Sequence, residues 1–258
     1  MSLARMMALQ LKYENRSFWR NPANAFFTFA FPLMFLVIFN LLFGSGDVGP
    51  PGQEVSGSTF YVPAIAAFSV INACFTTTAI SVTFLRDEGI LKRVRGTPLP
   101  PIAYLSARVI HAVFVSIGMV AIVSLAGVFL YDVTFPTDDL LMVAAIVGLG
   151  SLTFCALGLA ATAIVPNADA APAVVNGLIL PLLFISDIFI PLEANAPDWL
   201  ITISKSFPVW HYAHAILDVF EPPGFEGTFQ NGNLLVVAAW GVAGLLLATR
   251  FFAWEPRK

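Results

Sequence analysis

His211 and His214 stand three residues apart, beside Trp210 and Tyr212, and come nearest in this chain to the spacing of a metal or acid–base site. On a helix that spacing puts both imidazoles on one face. No acidic residue or third histidine stands close in sequence to complete a zinc shell. As acid–base catalysts they could enlist only Glu193. The plainer reading is two histidines at an apolar–water boundary. Other chemistries find less support. There is no G-x-x-x-x-G-K-[ST] loop to cradle phosphates, no H-E-x-x-H and no G-x-S-x-G elbow. Cys74 and Cys155 both fall in apolar runs and read as small helix residues rather than a disulfide or metal pair. The basic residues are divided among three separate patches, which argues against a nucleic-acid surface.

A different kind of chemistry, docking, is suggested by the polar island Arg86 to Pro101, R-D-E-G-I-L-K-R-V-R-G-T-P-L-P-P, set between two long apolar runs. Each ion would cost roughly 2.5–3.5 kcal/mol in hydrocarbon, so the island is expected to face water. Asp87 and Glu88 are expected near the N-terminus of a short helix, Ile90 to Val94, where carboxylates complement the helix dipole. Gly96 and Thr97-Pro98 should end it. Such a helix would display Ile90, Leu91 and Val94 among charges of both signs. A loop that merely fixes topology needs only Lys and Arg. Apolar knobs, mixed charge and stiff ends suit a groove on a partner.

The elements that hold these groups can be read from composition. Of 258 residues, 58% are hydrophobic and 11% charged, well below the roughly 25% charge of soluble domains. The mean hydropathy of +0.81 points to an all-α membrane protein with several spans. Six runs are long enough: Ala25–Phe43, then about 60–85, 104–130, 140–165, 171–190 and 233–252. Residues 1–22 place Arg5, Lys12 and Arg16 on one helical side and Leu3, Met7, Leu11 and Phe18 opposite, with Glu14 intruding. They read as a helix lying on the membrane surface, the alternative being a plain basic tail. Because the first apolar run comes after four basic residues and is long enough to span, it is expected to stay as a membrane helix rather than be cleaved. Residues 191–231 are too polar to span and are expected to form two short amphipathic helices, parted near Phe207-Pro208 and dipping back toward the membrane.

Twelve of the 13 Lys and Arg lie before the first run, in 86–108, or at the C-terminus; Lys205 is the exception. Eleven of the 16 acidic residues share its side. By the positive-inside rule both termini and the 86–103 loop are cytoplasmic, and the number of spans is even. All Trp and Tyr except Trp240 are expected at or beyond the span ends.

Polar residues inside spans need partners. Ser69, Asn72, Thr76 and Thr83 form a helical stripe in the second span, and Asn40 and Asn176 are expected to face the same space. Interhelical hydrogen bonding and a translocation path both account for them. Ser151, Cys155, Gly158 and Thr162 have the spacing of a close-packed seam, as do Gly241, Gly244 and Ala248. Pro172 and Pro181 are expected to kink the fifth span.

The basic first helix, the R-D-E-G-I-L-K-R-V-R-G-T-P-L-P loop, the stretch F-I-S-D-I-F-I-P-L-E-A-N-A-P-D-W-L and the S-F-P-V-W-H-Y segment together resemble permease subunits of type-2 ATP-binding-cassette exporters, which share the type V exporter fold. The resemblance covers the whole chain. Leu217 departs from it, since the family pattern usually has Arg or Gln six residues after His211. The ending R-F-F-A-W-E-P-R is similar to that of actinobacterial-type drug-export permeases.

The resemblance implies a single permease domain over 1–258: an interfacial helix at 1–22, a cytoplasmic coupling loop at 86–103 and an extracellular re-entrant pair at 191–231. Asp87, Glu88, Gly89, Leu91, Arg93, Arg95, Thr97 and Pro98 would couple it to a separate cytosolic ATPase, which would carry the ATP and Mg. No cofactor or metal is expected on this chain. Two permease copies, identical or paralogous, would form a dimer among membrane lipids in a bacterial plasma membrane. Substrate would pass Asn72, Phe75, Thr76, Asn176 and Phe184. The absence of charge there suits an apolar or amphipathic cargo, a drug or lipid, carried out of the cell. Two other readings stay open: a non-transporting membrane anchor for an ATPase, and an intramembrane lipid-modifying enzyme built on His211, His214 and Glu193.

Overall fold

The computed structural model describes residues 3–48, 55–190, 196–220 and 231–255. Apolar runs of helix-forming residues become helices because in hydrocarbon every peptide group must find its partner within the chain. The order is α1 (Leu3–Arg20), α2 (Pro22–Phe43), α3 (Gly57–Ile71), a π-helical turn (Asn72–Thr76), α4 (Thr77–Asp87), α5 (Ile90–Arg95), α6 (Pro101–Tyr131), α7 (Leu140–Ala161), α8 (Ala171–Phe184), α9 (Asp198–Ser204), α10 (Pro208–Phe220) and α11 (Asn231–Phe251). Between α2 and α3 the backbone pairs β1 (Asp47–Val48) with β2 (Val55–Ser56), antiparallel.

Among the described residues five helices are long and apolar enough to cross a membrane: Ala25–Phe43, Gly57–Asp87, Ile102–Tyr131, Leu140–Ala161 and Gly232–Phe251. The helical part of the fifth expected span is shorter than 171–190: α8 stops at Phe184 after 14 residues, about 21 Å at 1.5 Å per residue, and non-helical residues 185–190 carry the chain on to the end where Trp210 of α10 holds Asp187. Pro181 lies inside its last turn, and Asp187 adopts a left-handed backbone (φ 58°) that turns the chain away. Pro172 does not kink the helix; it sits in the first turn, where its missing N–H costs nothing.

The core is a bundle whose most buried member is Gly57–Asp87. Its second half carries a π turn, one extra residue, with the Thr77 hydroxyl donating to the Asn72 carbonyl at 3.2 Å. Gly158 on α7 faces this turn, and a Cβ there would come within 2.8 Å of the Phe75 carbonyl oxygen. The small-residue seams of α7 and α11 are therefore packing surfaces: Gly241 admits Thr153, whose hydroxyl donates to the Val237 carbonyl at 3.1 Å.

α1 lies along α6, and its misfit carboxylate has a purpose. Glu14 meets Arg108 of α6 at 3.8 Å and accepts from Gln10 at 3.1 Å. Arg108 donates onward to Ser81 of α4 at 3.1 Å.

At the opposite end α10 starts at Pro208, as the Phe207-Pro208 break implied, and buries Val209, Tyr212, Ala213, Ile216 and Leu217 against the bundle. Tyr212 is thus wholly buried rather than at a span end; its ring faces Gly150 and meets Phe154 edge-on at 5.3 Å. Residues 191–195 and 221–230, including Glu193 and parts of the expected re-entrant pair, lie outside the described residues.

Gly158→Ala should lower stability by about 1–3 kcal/mol through overpacking. Gly118→Ala, whose Cβ would meet nothing within 4 Å, should be neutral or mildly stabilising. Thermal unfolding in detergent distinguishes them, and equal midpoints would contradict the close approach at the π turn.

Candidate functional site

The polar island folds into a corner. α4 ends at Asp87; Gly89 takes a left-handed conformation (φ 70°) that few other residues adopt cheaply, and α5 begins at Ile90. Asp87 and Glu88 therefore close α4 rather than open α5, which corrects the helix-dipole expectation: Asp87 is the last residue of α4 and Glu88 its C-cap. Gly96 caps α5, and the Thr97 hydroxyl donates to the Val94 carbonyl at 2.7 Å.

The outward surface consists of Glu88, Lys92, Arg93, Arg95, Thr97 and Pro98, all exposed. Leu91 is not among them. It is 0% exposed and packs with Val82, Tyr104, Leu159 and Ala248, with Val94 against the same cluster. The display of Leu91 and Val94 as knobs is thus overturned, because the bundle has an apolar recess beneath α5 and burial is worth about 1.5–3 kcal/mol for a leucine. What α5 shows to the outside is charge. Lys92 also reaches Glu255 near the C-terminus at 3.7 Å, a pair too exposed to stabilise much.

Arg86, expected in water with the rest of the island, is 1% exposed. Its guanidinium donates to the carbonyls of Thr162 (3.0 Å), Val165 (3.0 Å) and Pro166 (3.2 Å), and its Nε to Asp87 Oδ1 (3.1 Å). These carbonyls lie at and beyond the end of α7, where helical oxygens lack partners and the dipole favours a cation. Asp87 Oδ2 accepts the N–H of Ala168 at 2.6 Å. A signal for Arg86 exists in the sequence: it stands three residues after Thr83 and extends the polar stripe of the second span.

The expected path residues divide. Asn72, Thr76, Asn176 and Phe184 line one cavity of about 370 Å³, walled by Phe31, Phe35, Phe68 and Phe189. Phe75 faces away, into an apolar groove of about 470 Å³ between α7, α8 and α11. Ser69 and Thr83 bond back to their own helix, at the Ala66 and Ala79 carbonyls, and Asn40 donates to Leu36 O at 2.9 Å outside the cavity. The π turn spans Asn72–Thr76, with both of these residues on the cavity side and Phe75 between them on the opposite face. Phenylalanines dominate the wall, with Phe35–Phe189 and Phe39–Phe189 stacked at 5.4 and 5.6 Å.

The histidines hold structure at the other end. His211 bridges Asn233 Oδ1 (2.8 Å) and the Lys205 carbonyl (2.9 Å), while His214 engages the Trp210 carbonyl at 3.0 Å and stacks on its ring at 3.7 Å. Trp210 Nε1 donates to Asp187 at 2.9 Å, which secures the turn after α8. Burial pushes the His214 imidazole down to about 4, so at neutral pH it is uncharged and its 3.5 Å approach to Asp187 is not an ion pair. Among the described residues no group of three or more His, Cys, Asp or Glu could hold a metal.

A bundle of membrane-length helices, with a charged corner at one end and an aromatic-walled cavity in its body, defines a multi-pass membrane protein. Residues 7–220 match the family model described as ABC-2 type transporter, and the chain belongs to that family. A Bacillus subtilis (strain 168) protein carrying the name transport permease YvfS is 23% identical over 235 residues, covering 91% of this chain and 92% of its own length. A Porphyra purpurea protein carrying the name transport permease ycf38 is 25% identical over 226 residues, 86% of this chain and 75% of its own.

Cysteines introduced at Thr76 and Asn176 should react with a small thiol reagent in detergent, since both line the cavity, while one at Thr83 (0% exposed) should not. Labelling rates measured by mass spectrometry check this, against a background in which Cys74 and Cys155 are buried. Equal labelling at all three sites would contradict the geometry.

Proposed function

We propose that this chain is the membrane subunit of an ATP-driven exporter, that it works as a dimer, and that ATP and Mg are held by a separate cytosolic ATPase. The observation that carries this reading is the mounting of α5. Glu88, Lys92, Arg93 and Arg95 stand exposed on a helix pinned from beneath by Leu91, as a rigid, charged docking surface requires. Thr97 and Pro98 extend that surface, Gly89 sets its angle, and Asp87 ties it to the bundle. By the positive-inside rule this end, with both termini, would face the cytoplasm, and the membrane would be the plasma membrane of a bacterial cell. α1 would lie along the inner membrane surface, and α9 with α10 would dip back from the outside as the re-entrant pair that closes the exit.

Cargo would pass Asn72, Thr76, Asn176 and Phe184, with Phe75 on the rear of the same helix. A wall of phenylalanines with few polar groups favours an apolar or amphipathic molecule, a drug or a lipid. Nucleotide on the ATPase would supply the difference in free energy between inward- and outward-open states. The histidine cluster offers no free acid–base pair among the described residues, and this weighs against an intramembrane enzyme.

Glu88→Ala should abolish ATP-dependent movement of a fluorescent phospholipid analogue and of a hydrophobic dye in proteoliposomes that contain the chain and its ATPase. Expression and dimerisation should hold near wild type. Wild-type movement of either probe by this variant would refute the role of the α5 surface, and ATP-independent chemical turnover by the chain alone would refute the class.

A further inference from the structure

The contacts of Arg86 and Asp87 reach further than the corner they occupy. Arg86 spends four donor contacts on the end of α7 and on Asp87, and it does so while 1% exposed. Asp87 Oδ2 then takes the N–H of Ala168 at 2.6 Å. The Ala168 carbonyl accepts from Ala171 N–H at 3.1 Å, in the first turn of α8, and Asn167 Oδ1 accepts from Ala170 N–H at 2.9 Å. An unbroken series of hydrogen bonds thus leads from the α4–α5 corner to the base of α8. α8 in turn carries Asn176, Ile179, Leu183 and Phe184 of the cavity wall.

A buried guanidinium with its partners satisfied resists opening, because separation would leave both the cation and several carbonyls unpaired away from water. Fully satisfied buried networks of this kind rigidify what they join. α8 is held otherwise by few neighbours, being flanked by the 370 Å³ cavity on one side and the 470 Å³ groove on the other. It is a wall element with open space on both faces, and the turn at its base is tied to the α4–α5 corner by Asp87.

We propose that Arg86 and Asp87 are positioning residues that fasten α8 to the α4–α5 corner, so that a displacement applied at α5 is delivered to the cavity wall through α8. This rests on the reading of α5 as the surface worked by an ATPase. It assigns to Asp87 an inward task distinct from that of Glu88.

The test uses the full chain with its ATP-binding subunit in nanodiscs and spin labels at cysteines replacing exposed Gly96, Asp169 and Asp138, taken in pairs; Gly96 caps α5 outside the charged docking set, and Asp138 lies in the 131–139 connection at the other end of the bundle. In the otherwise native sequence, a non-hydrolysable ATP analogue should shift the 96–138 and 169–138 distances together and leave 96–169 narrow and constant. In Asp87→Ala, position 96 should still shift, and the population in which position 169 moves with it should fall at least about tenfold, since two charge-assisted hydrogen bonds are lost, from Ala168 N–H and from Arg86 Nε. Asp87→Asn, which keeps an oxygen for the Ala168 N–H, should fall less and guards against misfolding of the alanine variant. If position 169 moves fully with position 96 in Asp87→Ala, the fastening is wrong, whatever the loss in thermal stability. If position 96 in the otherwise native sequence ignores the nucleotide, the transporter reading fails and takes this inference with it.

Discussion

A helix end inside a membrane protein leaves carbonyl oxygens that neither lipid nor a neighbouring helix can satisfy, and at the end of α7 a single guanidinium answers them. Arg86 meets Thr162, Val165 and Pro166 while paired with Asp87. The arrangement needs no external counter-charge, because one carboxylate and three peptide dipoles share the cation. With Arg86 removed, the carbonyls ending α7 would lose their donor, and the α7–α8 turn would be held to α4 chiefly by the Asp87–Ala168 hydrogen bond. The fold and the site thus depend on the same interaction.

The bundle also shows how irregular backbone is put to use. The π turn at Asn72–Thr76 would be a liability in lipid, yet it is packed against Gly158 and bonded by Thr77. It turns Asn72 and Thr76 toward Asn176 while Phe75 points to the groove behind. α8, shortened by Pro181, completes the wall, and the chain continues non-helically to the left-handed turn at Asp187. Irregularity is confined to the places where protein, not lipid, surrounds the backbone.

Much of this is legible in the residues. Long apolar runs with basic residues clustered at alternate connections specify the helices, and Gly89, Gly96 and Pro208 mark real boundaries. The island at 86–101 stands out as a separate short helix set off by glycines, and Asn72, Thr76, Asn176 and Phe184 do share a cavity. The rest is hidden for physical reasons. Periodicity groups Ser69 and Thr83 with Asn72 and Thr76, yet whether a hydroxyl faces a cavity or turns back to its own helix carbonyl is settled by tertiary packing. Leu91 reads as a knob because nothing local says that a recess lies beneath it; Val82, Tyr104, Leu159 and Ala248 come from four other helices. The inward course of Arg86 is likewise a tertiary fact, since its acceptors lie some 80 positions away and are backbone atoms, which carry no sequence signal. Glu14 is a flaw in an amphipathic pattern only until Arg108 is placed opposite it.

The central claim is that the exposed face of α5 is held by an ATP-binding chain inside the cell. The most direct measurement is in-cell photocrosslinking from an unnatural amino acid at Arg93, compared with one at exposed Trp199 at the other end of the bundle. The account predicts a covalent adduct to an ATP-binding subunit from position 93 and none from position 199. An adduct to that subunit from 199, with none from 93, would contradict it.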